Sequence, residues 1–396
     1  MGGEWKETTV GEFSPFAYGK SLPEKKRENG PYHVYGSNGP VGFHNKPLVE
    51  ESGIVIGRKG TVGAVHYTAQ PFWPIDTTFY VSRANHRDLR YTYYLLKSLG
   101  LENMNSDSAV PGLNRDAAHA RKILVPELDE QRAIAHILGS LDDKIELNRR
   151  MNQTLEAMAR AIFKHWFIDF EFPNENGDPY KSSGGEMIDS PLGPIPKGWS
   201  VGNISDIANI LGGGTPRTSV DEYWDGDIPF FTPKDAKALY CLYTEKCLTK
   251  KGLEKCSSRL YEKNTVFITA RGTVGKLVLA GTPMAMNQSC YALTGKEVSQ
   301  YFLYFAIDNL VDSLKQSSHG AVFSTITTAT LESTKVLIPE ATVERDFRGR
   351  IAPFFETILA KNEENGKISE LRDSLLPKLM SGEIRVPVSE KEVDQF

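Results

Sequence analysis

The sequence predicts an α+β protein in which two globular modules of mixed helix and sheet are separated by two long antiparallel coiled-coil helices, with a pseudo-twofold internal repeat. Three observations predict this fold. A nine-residue segment at 55–63 recurs at 267–275, half a chain later. Short β-branched and aromatic runs punctuated by glycine surround both copies, as expected of strands and turns. After each of these regions, apolar residues follow the 4-3 spacing of a coiled-coil seam.

The repeat extends beyond its clearest segment. Val-Ile-Gly-Arg-Lys-Gly-Thr-Val-Gly at 55–63 returns as Phe-Ile-Thr-Ala-Arg-Gly-Thr-Val-Gly at 267–275, an offset of 212 residues. At an offset of 213, Lys-Ile-Leu-Val-Pro-Glu at 122–127 returns as Lys-Val-Leu-Ile-Pro-Glu at 335–340. One copy per half-chain is not a solenoid period, so we interpret the repeat as a duplicated module able to act on two things at once.

Composition limits the class of protein. The 396 residues, 40% hydrophobic and 24% charged, suit two or three soluble domains. No apolar run is long enough for a membrane span, and the N-terminus lacks the basic and apolar regions of a signal peptide, so we expect a cytoplasmic protein. The four cysteines occur in the second copy, without CxxC spacing, which favours reduced thiols over disulfides or a zinc site.

The net charge of −4 is unevenly distributed. Residues 1–126 hold 15 Lys and Arg against 12 Asp and Glu, and residues 197–339 hold 15 against 13. Both repeated parts are therefore mildly basic, while the rest of the chain holds 16 against 25 and is acidic. Because so small an excess of cations neutralises few phosphates, a DNA ligand would require a partner subunit to supply much of the non-specific affinity.

The two predicted seams match each other position by position at an offset of 213. A polar residue interrupts each seam near its middle, Asn152 in the first and Asn365 in the second, and such a residue fixes register and partner at a cost in stability. The matched interruptions favour two helices that pack on each other; the alternative is two amphipathic helices on separate cores. The predicted seam residues are Ile134, Leu138, Leu141, Ile145, Asn152, Leu155 and Ile162, then Phe347, Ile351, Phe354, Ile358, Asn365, Ile368, Leu375 and Leu379.

A first helix that begins at Leu128 and ends near Phe170 would be roughly 60 to 65 Å long at 1.5 Å per residue, comparable to about two turns of B-DNA. Such a helix suits a spacer, and antiparallel pairing with the second helix would relate the two modules by a pseudo-twofold axis. Pro353 and Pro377 are expected to bend the second helix or to mark breaks in it.

These patterns divide the chain into six segments. A high density of Gly, Pro and Ser indicates a linker before the second module, and the polar, aperiodic C-terminal residues predict a frayed tail. The segments are a first module at 1–127, a first spacer helix at 128–171, a linker at 172–198, a second module at 199–340, a second spacer helix at 341–382 and a tail at 383–396.

The Gly-Thr-Val-Gly segments at 60–63 and 272–275 each follow a basic residue, Lys59 or Arg271. A phosphate-binding loop is one interpretation, but a tight hairpin explains the glycines more simply, because neither GxGxxG nor GxxxxGK[ST] occurs. A basic side chain at the tip of a hairpin can reach a guanine edge or a phosphate; a solvated surface charge is the alternative.

The sequence lacks familiar catalytic signatures. The eight histidines show no HExxH spacing, and no GxSxG elbow occurs. Pro-Asp does not precede Glu-x-Lys, as a nuclease of the two-carboxylate kind would require, and Asp178-Pro179-Tyr180 lacks the second proline of an amino-methyltransferase loop. We therefore expect no catalytic, cofactor-binding or metal-binding residues in this chain.

Together with the repeat and the seams, several stretches make the chain resemble the specificity subunits of type I restriction-modification enzymes. The resemblance covers nearly the whole chain and depends on the stretches in combination. They are Tyr-Gly-Ser-Asn-Gly-Pro-Val-Gly-Phe at 35–43, Ala-Ile-Phe-Lys-His-Trp-Phe-Ile-Asp-Phe at 161–170, Gly-Pro-Ile-Pro-Lys-Gly-Trp at 193–199, Gly-Gly-Gly-Thr-Pro at 212–216, the segment 224–235, and Leu-Leu-Pro-Lys-Leu-Met-Ser-Gly-Glu at 375–383.

The resemblance implies two target-recognition domains, each reading one half of a split, asymmetric site in double-stranded DNA, and spacer helices that set the gap. It also implies that catalysis belongs to other subunits. Two methylation subunits would transfer a methyl group from S-adenosylmethionine to adenine, and restriction or motor subunits would use ATP and magnesium. Apolar residues off the seams would either bind methylation subunits or pack on their own modules: Ile137, Met158, Phe163, Phe167, Phe355 and Leu371.

Recognition residues do not transfer within this family, because sequence choice differs between members, so the candidates are donors in predicted loops. Asn and Gln suit adenine edges, whereas Arg and Lys suit guanine; turn stabilisation and surface solvation are the competing roles. The candidates are Tyr35, Ser37, Asn38, Arg58 and Lys59 in the first module and Lys234, Arg271, Gln288 and His319 in the second. The rival functions are a stand-alone DNA methyltransferase or nuclease and an adaptor that binds protein or sugar.

Overall fold

A computed structural model describes residues 4–104, 112–317 and 325–386, without the side chains of 312–317. The chain divides into two compact units. The first combines the residues up to Leu147 with those from Asn365 onward, and the second runs from Asn148 to Glu364. Each unit contains one of the predicted modules and a part of both long helices.

The first unit contains two small sheets and an antiparallel strand pair. Its strands are β1 (Lys6–Thr9), β2 (Ala17–Tyr18), β3 (Tyr32–Gly36), β4 (Gly39–His44), β5 (Gly53–Gly57), β6 (Val65–Thr68), β7 (Phe72–Pro74), β8 (Thr78–Ser82) and β9 (Lys122–Val125). Its helices are α1 (Val10–Phe13), α2 (Leu89–Ser98), α3 (Arg115–His119) and the first part of α4 (Leu128–Phe163), with 3-10 turns at Glu24–Lys26 and Leu101–Asn103.

Strand β5 has both of its faces buried. It lies between β8 and β6 in the antiparallel sheet β2-β8-β5-β6. Because side chains alternate along a strand, Ile54 and Ile56 face a core shared with α2, whereas Val55 packs in a separate cluster with Tyr35 and Phe72. The second sheet, β4-β3-β7, supplies that cluster and contains a parallel pair, β3 with β7.

The second unit repeats this architecture. Its strands are β10 (Met187–Ile188), β11 (Ile195–Pro196), β12 (Ser200–Asn203), β13 (Ala208–Gly212), β14 (Trp224–Phe231), β15 (Tyr240–Cys241), β16 (Cys247–Leu248), β17 (Val266–Thr269), β18 (Leu277–Ala280), β19 (Ala285–Met286), β20 (Cys290–Gly295) and β21 (Lys335–Ile338). Its helices, besides the later part of α4, are α5 (Ile204–Ile207), α6 (Lys250–Glu254), α7 (Gln300–Ser317), α8 (Thr328–Ser333) and the first part of α9 (Ala341–Met380), with 3-10 turns at Asp221–Tyr223 and Pro233–Asp235.

The duplicated sequence folds with a duplicated strand order. The sheet β2-β8-β5-β6 matches β13-β20-β17-β18, to which β15 adds an edge strand. The sheet β4-β3-β7 matches β16-β14-β19, and the pair β1-β9 matches β12-β21. Parallel pairing also recurs at the same place, between β14 and β19. The predicted α+β class and internal repeat are confirmed.

Helix α9 is continuous through Pro353 and Pro377, so neither of these prolines marks a break in the helix. Both prolines are exposed, which leaves their rings on the solvent side. Ile351 and Phe355, on either side of Pro353, are fully buried. Their packing outweighs the single backbone hydrogen bond that a proline removes. In contrast, the α-helical geometry of α4 ends at Phe163, and a π-helical turn follows at Lys164–Ile168.

In the first unit, α4 and α9 run antiparallel. Near the start of α4, Glu130 accepts two hydrogen bonds, of 2.7 and 2.8 Å, from Arg385, which follows the end of α9. Farther along α4, Asp142 accepts a hydrogen bond of 2.6 Å from Arg372, which lies earlier in α9. Of the predicted seam residues here, Ile134, Leu138, Ile145 and Leu379 are buried, and Leu141, Asn365, Ile368 and Leu375 are half-buried.

The same antiparallel order holds in the second unit. Asn148 donates to the carboxylate of Glu364 at 3.0 Å, and Asn152, one turn later, donates to Oδ1 of Asn362 at 2.8 Å. The polar interruption at Asn152 therefore serves a hydrogen bond between the helices. Of the predicted seam residues here, Phe347, Ile351 and Ile358 are buried, and Asn152, Leu155, Ile162 and Phe354 are half-buried.

The apolar stripe on each helix is wider than a coiled-coil seam. Phe163, Phe167 and Phe355 lie off the seams and are buried in the core of the second unit, so they pack on their own module. Ile137 lies at the margin of the first core. Met158 and Leu371 remain exposed. Each long helix thus packs both on the other helix and on a module, which combines the two arrangements that the sequence left open.

The predicted linker at 172–198 is folded against the second unit. Phe172 and Ile195 belong to its core, and the ring of Phe172 stacks on Trp199 with centroids 5.0 Å apart. No local pattern predicts this packing, because these apolar residues are isolated among Gly, Pro and Ser. Among the described residues, we find no helix with the length and apolar character needed to cross a membrane.

The four cysteines are free thiols. Burial raises the pKa of both Cys241 and Cys290 to about 12, so these two thiols are protonated and unreactive at neutral pH.

Candidate nucleic-acid interface

In each module, the Gly-Thr-Val-Gly segment forms the turn between two antiparallel strands, β5 and β6 in the first and β17 and β18 in the second. Gly60 and Gly272 both have a φ of 80°, and Gly63 and Gly275 have φ values of 74° and 78°. These left-handed values favour glycine. Gly63 and Gly275 each donate a backbone hydrogen bond of 2.8 Å to the end of the preceding strand. The repeated glycines therefore serve a hairpin turn.

In both modules, the backbone just before the turn is hydrogen-bonded to the residue at the matching position of the repeat. The amides of Arg58 and Lys59 donate to the carbonyl of Thr77 at 2.9 and 3.1 Å, and the amide of Ala270 donates to the carbonyl of Ser289 at 2.8 Å. The two modules thus share one backbone arrangement, a hairpin turn whose first residues are hydrogen-bonded to the carbonyl of Thr77 or Ser289. We call this arrangement the backbone frame; the side chains that it carries differ between the modules. The matched positions, first module then second, are Lys59 and Arg271, Asp76 and Gln288, and Thr77 and Ser289.

In the first module, the frame carries a cluster of two arginines and an exposed tyrosine. The guanidinium carbons of Arg58 and Arg115 each lie 5.0 Å from the ring centroid of Tyr18. Arg58 also lies 5.8 Å from the ring of Phe79 and donates to the carbonyl of Asp76 at 3.3 Å. Tyr18 is 49% exposed. Cations stacked on an accessible aromatic ring are suited to contact with bases or phosphates.

Sequence reasoning identified Arg58 but missed Tyr18 and Arg115. They meet because β2 pairs with β8, which places Tyr18 opposite Phe79. Arg115 begins α3 just after Leu113, whose amide donates to the carbonyl of Arg58 at 2.9 Å. Residues almost a hundred positions apart are joined by two long-range backbone pairings, and no local pattern in the sequence signals either of them.

Two first-module candidates have structural roles. Tyr35, a loop donor by its sequence context, lies instead in β3 with its side chain 7% exposed, edge-on to Phe72 with ring centroids 5.8 Å apart. The structure corrects that placement, because the strand alternation turns Tyr35 into the core. Ser37 is also buried, and its hydroxyl donates to the carbonyl of Thr77 at 2.7 Å. Asn38 and Lys59 are exposed beside the frame.

The second module has an open cavity of about 450 Å³ at the equivalent edge. Lys234 and Arg271, both sequence-based candidates, line it together with Lys246 and a carboxylate, Glu245. Lys234 lies 3.7 Å from Glu245, so three cations and one anion give the cavity a net positive charge. Such a charge favours an anionic ligand and is consistent with phosphate contact.

The cavity also offers stacking and hydrogen-bonding groups. Lys246 Nζ lies 5.2 Å from the ring centroid of Trp224, a pair that sequence reasoning did not nominate. Gln288 is exposed next to two lining residues, and its Oε1 accepts a hydrogen bond from the hydroxyl of Thr215. With Oε1 engaged, the Gln288 amide group is held in one orientation. His319, the remaining candidate, lies outside the described residues.

His119, at the end of α3, fixes the N-terminal part of the first module. The amide of Phe16 donates to its Nε2 at 2.9 Å, which requires an unprotonated nitrogen. Burial, and then the charge of Arg115, lower the pKa of His119 below its ordinary value of 6.5. As pH falls below 6.5, the unfolded chain takes up a proton on His119 that the folded chain does not, so the free energy of unfolding decreases. Above pH 6.5, His119 is neutral in both states and its contribution to the free energy of unfolding is constant.

We predict that His119→Gln will weaken this pH dependence. Thermal unfolding midpoints of the two proteins, measured between about pH 8 and about pH 5, should diverge at high pH and converge at low pH. Parallel curves would contradict the role assigned to His119.

Comparison with known proteins agrees with the duplicated architecture. The family described as "Type I restriction modification DNA specificity domain" matches residues 2–157 and 196–372, two segments that contain the two copies of the repeat. The chain belongs to this family. It is 27% identical over 371 residues to the type I restriction enzyme MjaIX specificity subunit of Methanocaldococcus jannaschii, a match that covers 89% of this chain and 84% of that protein.

A second relative is the type I restriction enzyme HindI specificity subunit of Haemophilus influenzae, 27% identical over 327 residues, which covers 69% of this chain and 71% of the relative. Among solved structures, the S subunit of a type I restriction-modification system from M. genitalium gives a TM-score of 0.61 at 16% identity and covers 97% of both chains. At this identity the likeness establishes the fold alone.

Proposed function

We propose that this member of the family is the DNA specificity subunit of a type I restriction-modification complex. Each module would read one half of a split, asymmetric site in double-stranded DNA. The observation that carries the proposal is the shared backbone frame with unlike side chains, such as Asp76 against Gln288 and Lys59 against Arg271. Equal frames allow the modules to approach DNA in the same way, while different donors and acceptors select different bases.

The second-module cavity suggests how contacts would be divided. Lys234 and Lys246 are suited to phosphates, which position a protein on the duplex without selecting sequence. Arg271, at the tip of a hairpin fixed by two glycines, suits a guanine edge, and the oriented amide of Gln288 suits adenine. The net charge of −4 makes it reasonable that other subunits add phosphate contacts.

We further propose that the chain has no catalytic activity of its own and acts with two methylation subunits and with restriction or motor subunits. S-adenosylmethionine would bind the methylation subunits, and ATP and magnesium the motor. The long helices would set the gap between half-sites. Met151 and Met158, seven residues apart on one face of α4 and both exposed, offer an apolar surface on which a methylation subunit could dock.

Selection from a random duplex library tests the proposal. The full-length chain, with its methylation subunits, should enrich two short motifs separated by a gap of fixed length and free sequence. If no split motif is enriched, the DNA-reading function is wrong and an adaptor role gains support. Methyl transfer to DNA by the isolated chain, measured with labelled S-adenosylmethionine, would instead indicate a stand-alone methyltransferase.

The Arg271→Ala variant tests whether the second module reads bases in one half-site. We expect its affinity for the selected site to fall about 10- to 100-fold, with any loss of base preference confined to one half-site. Arg259→Ala, which removes another exposed arginine of the same module, serves as the matched control and should bind normally. Equal effects of the two substitutions would show that Arg271 contributes only general surface charge.

A further inference from the structure

We infer that the first module reads a guanine through Arg58, positioned by the Tyr18 ring that Arg115 also contacts, and that the second module lacks this reader. The inference rests on the proposed function and adds to it the identity of a base and of the residue that selects it. It starts from the Arg58–Tyr18–Arg115 cluster, which lies beside the shared backbone frame.

Arg58 is held more firmly than an ordinary surface arginine. Its guanidinium carbon lies 5.0 Å from the ring centroid of Tyr18 and 5.8 Å from that of Phe79, and its Nη1 donates to the carbonyl of Asp76 at 3.3 Å. Arg115 contacts the same Tyr18 ring at 5.0 Å. Stacking against two rings restricts a flexible side chain before it meets a ligand, which lowers the entropy lost on binding.

The second module keeps the backbone of this cluster and none of its side chains. Tyr18 pairs with Phe79 across β2 and β8, and the equivalent pair across β13 and β20 is Gly212 with Tyr291. The carbonyl of Arg58 accepts from the amide of Leu113 at 2.9 Å, and that of Ala270 accepts from Ile326 at 3.0 Å. The three replacements, first module then second, are Tyr18 and Gly212, Arg58 and Ala270, and Arg115 and Thr328.

Because all three side chains differ on a retained backbone, the turn itself does not require them. The group they form is chemically specific. A planar guanidinium donates two parallel hydrogen bonds, which matches O6 and N7 of guanine in the major groove, whereas lysine provides a point charge. A phosphate contact depends mainly on charge, so replacing arginine with lysine should affect it less than it affects base recognition.

The test compares Arg58→Lys with the unaltered chain in the random duplex selection, using the full-length chain with its methylation subunits. Arg58→Lys should lower the preference for guanine at one position of the first half-site by about 10- to 100-fold and leave the second half-site unchanged. Tyr18→Leu should weaken the same preference at the same position. Arg83→Lys, an exposed arginine at the opposite end of β8, is the matched control.

The outcomes separate the inference from the proposed function. If the unaltered chain enriches a split motif but both Arg58→Lys and Arg58→Ala retain every base preference, Arg58 does not read a base, although the proposed function stands. A first half-site without guanine overturns the inference in the same way. If the unaltered chain enriches no split motif, the proposed function itself fails. Unchanged thermal unfolding of Arg58→Lys shows that a lost preference does not reflect misfolding.

Discussion

Replacing Gly63 with alanine should destabilise the first unit by about 3 to 5 kcal/mol, because two costs add. The first is the left-handed backbone, with a φ of 74°, which costs a β-carbon about 1 to 2 kcal/mol. The second is overlap: a β-carbon at Gly63 would lie 2.2 Å from the amide nitrogen of Glu102 and 2.3 Å from the carbonyl carbon of Leu101. Leu101 is fully buried, so this backbone cannot move aside at low cost.

Gly60 provides the matched control, since its φ is 80° but no atom lies within 4 Å of the added β-carbon. Gly60→Ala should cost only about 1 to 2 kcal/mol. Hydrogen exchange in β5 and β6 at increasing urea concentration reports on the first unit separately from the second. Equal losses for the two variants would show that the close packing of the turn against Leu101 and Glu102 contributes nothing.

Replacing Asp142 with alanine should destabilise the same unit by about 2 to 4 kcal/mol. Asp142 joins three elements of this unit: it accepts hydrogen bonds of 2.6 Å from Arg372 of α9 and from the hydroxyl of Tyr94 of α2. Burial, and then the bond to Asp142, raise the pKa of Tyr94, so the hydroxyl remains a donor. The substitution leaves the buried hydroxyl without this acceptor and leaves Arg372 only the exposed Asp373.

Asp143 is the matched control, because it is the next residue, also pairs with an arginine, and is exposed. Asp143→Ala should cost less than about 1 kcal/mol. The second unit suggests a rescue: the equivalent residues there are Phe305, Phe355 and Ala159, which pack without charge. Introducing that combination as Y94F, D142F and R372A should recover most of the stability. Equal losses for Asp142→Ala and Asp143→Ala, in unfolding followed by hydrogen exchange in α2, would contradict this account.

The equivalence of Tyr94 and Phe305 follows from matching helix caps, whereas Asp142 matches Phe355 and Arg372 matches Ala159 at the offset of 213 residues between the long helices. Asp88 and Ser299 cap α2 and α7 through the amides of Tyr91 and Phe302. The amide of each capping residue in turn donates to a side chain of a long helix, Asp88 to Gln131 at 3.0 Å and Ser299 to Glu344 at 2.9 Å. The repeat therefore extends to the way in which each module is attached to its helix pair.

Local patterns in the sequence predicted much of this fold. Glycines with required left-handed backbones gave the two hairpins at Gly60 and Gly272, and 4-3 apolar spacing gave α4 and α9. These features depend on neighbours within a few residues, and so they can be read from the chain. The wider helical stripes were also visible as apolar residues off the seams, although their burial against the modules was not.

The candidate site was less predictable, because long-range pairing forms it. Tyr18 and Arg115 join Arg58 only through strand pairing and a backbone hydrogen bond, and Lys246 meets Trp224 across β14 and the segment before β16. Tyr35 illustrates the opposite error: its surroundings are rich in glycine and suggest a loop, yet strand alternation directs it into the core. Arg58, Lys234 and Arg271 were predictable because they adjoin turns that the sequence defines.

In the proposed function, the two modules read two half-sites independently of each other. Exchange of residues 1–127 for the first module of another member of the family, followed by mapping of the methylated motif in a host genome, tests it directly. We expect one half of the motif to change to that of the donor, while the other half and the length of the gap remain the same. If both halves change, or the gap changes with the module, independent reading by two modules is contradicted.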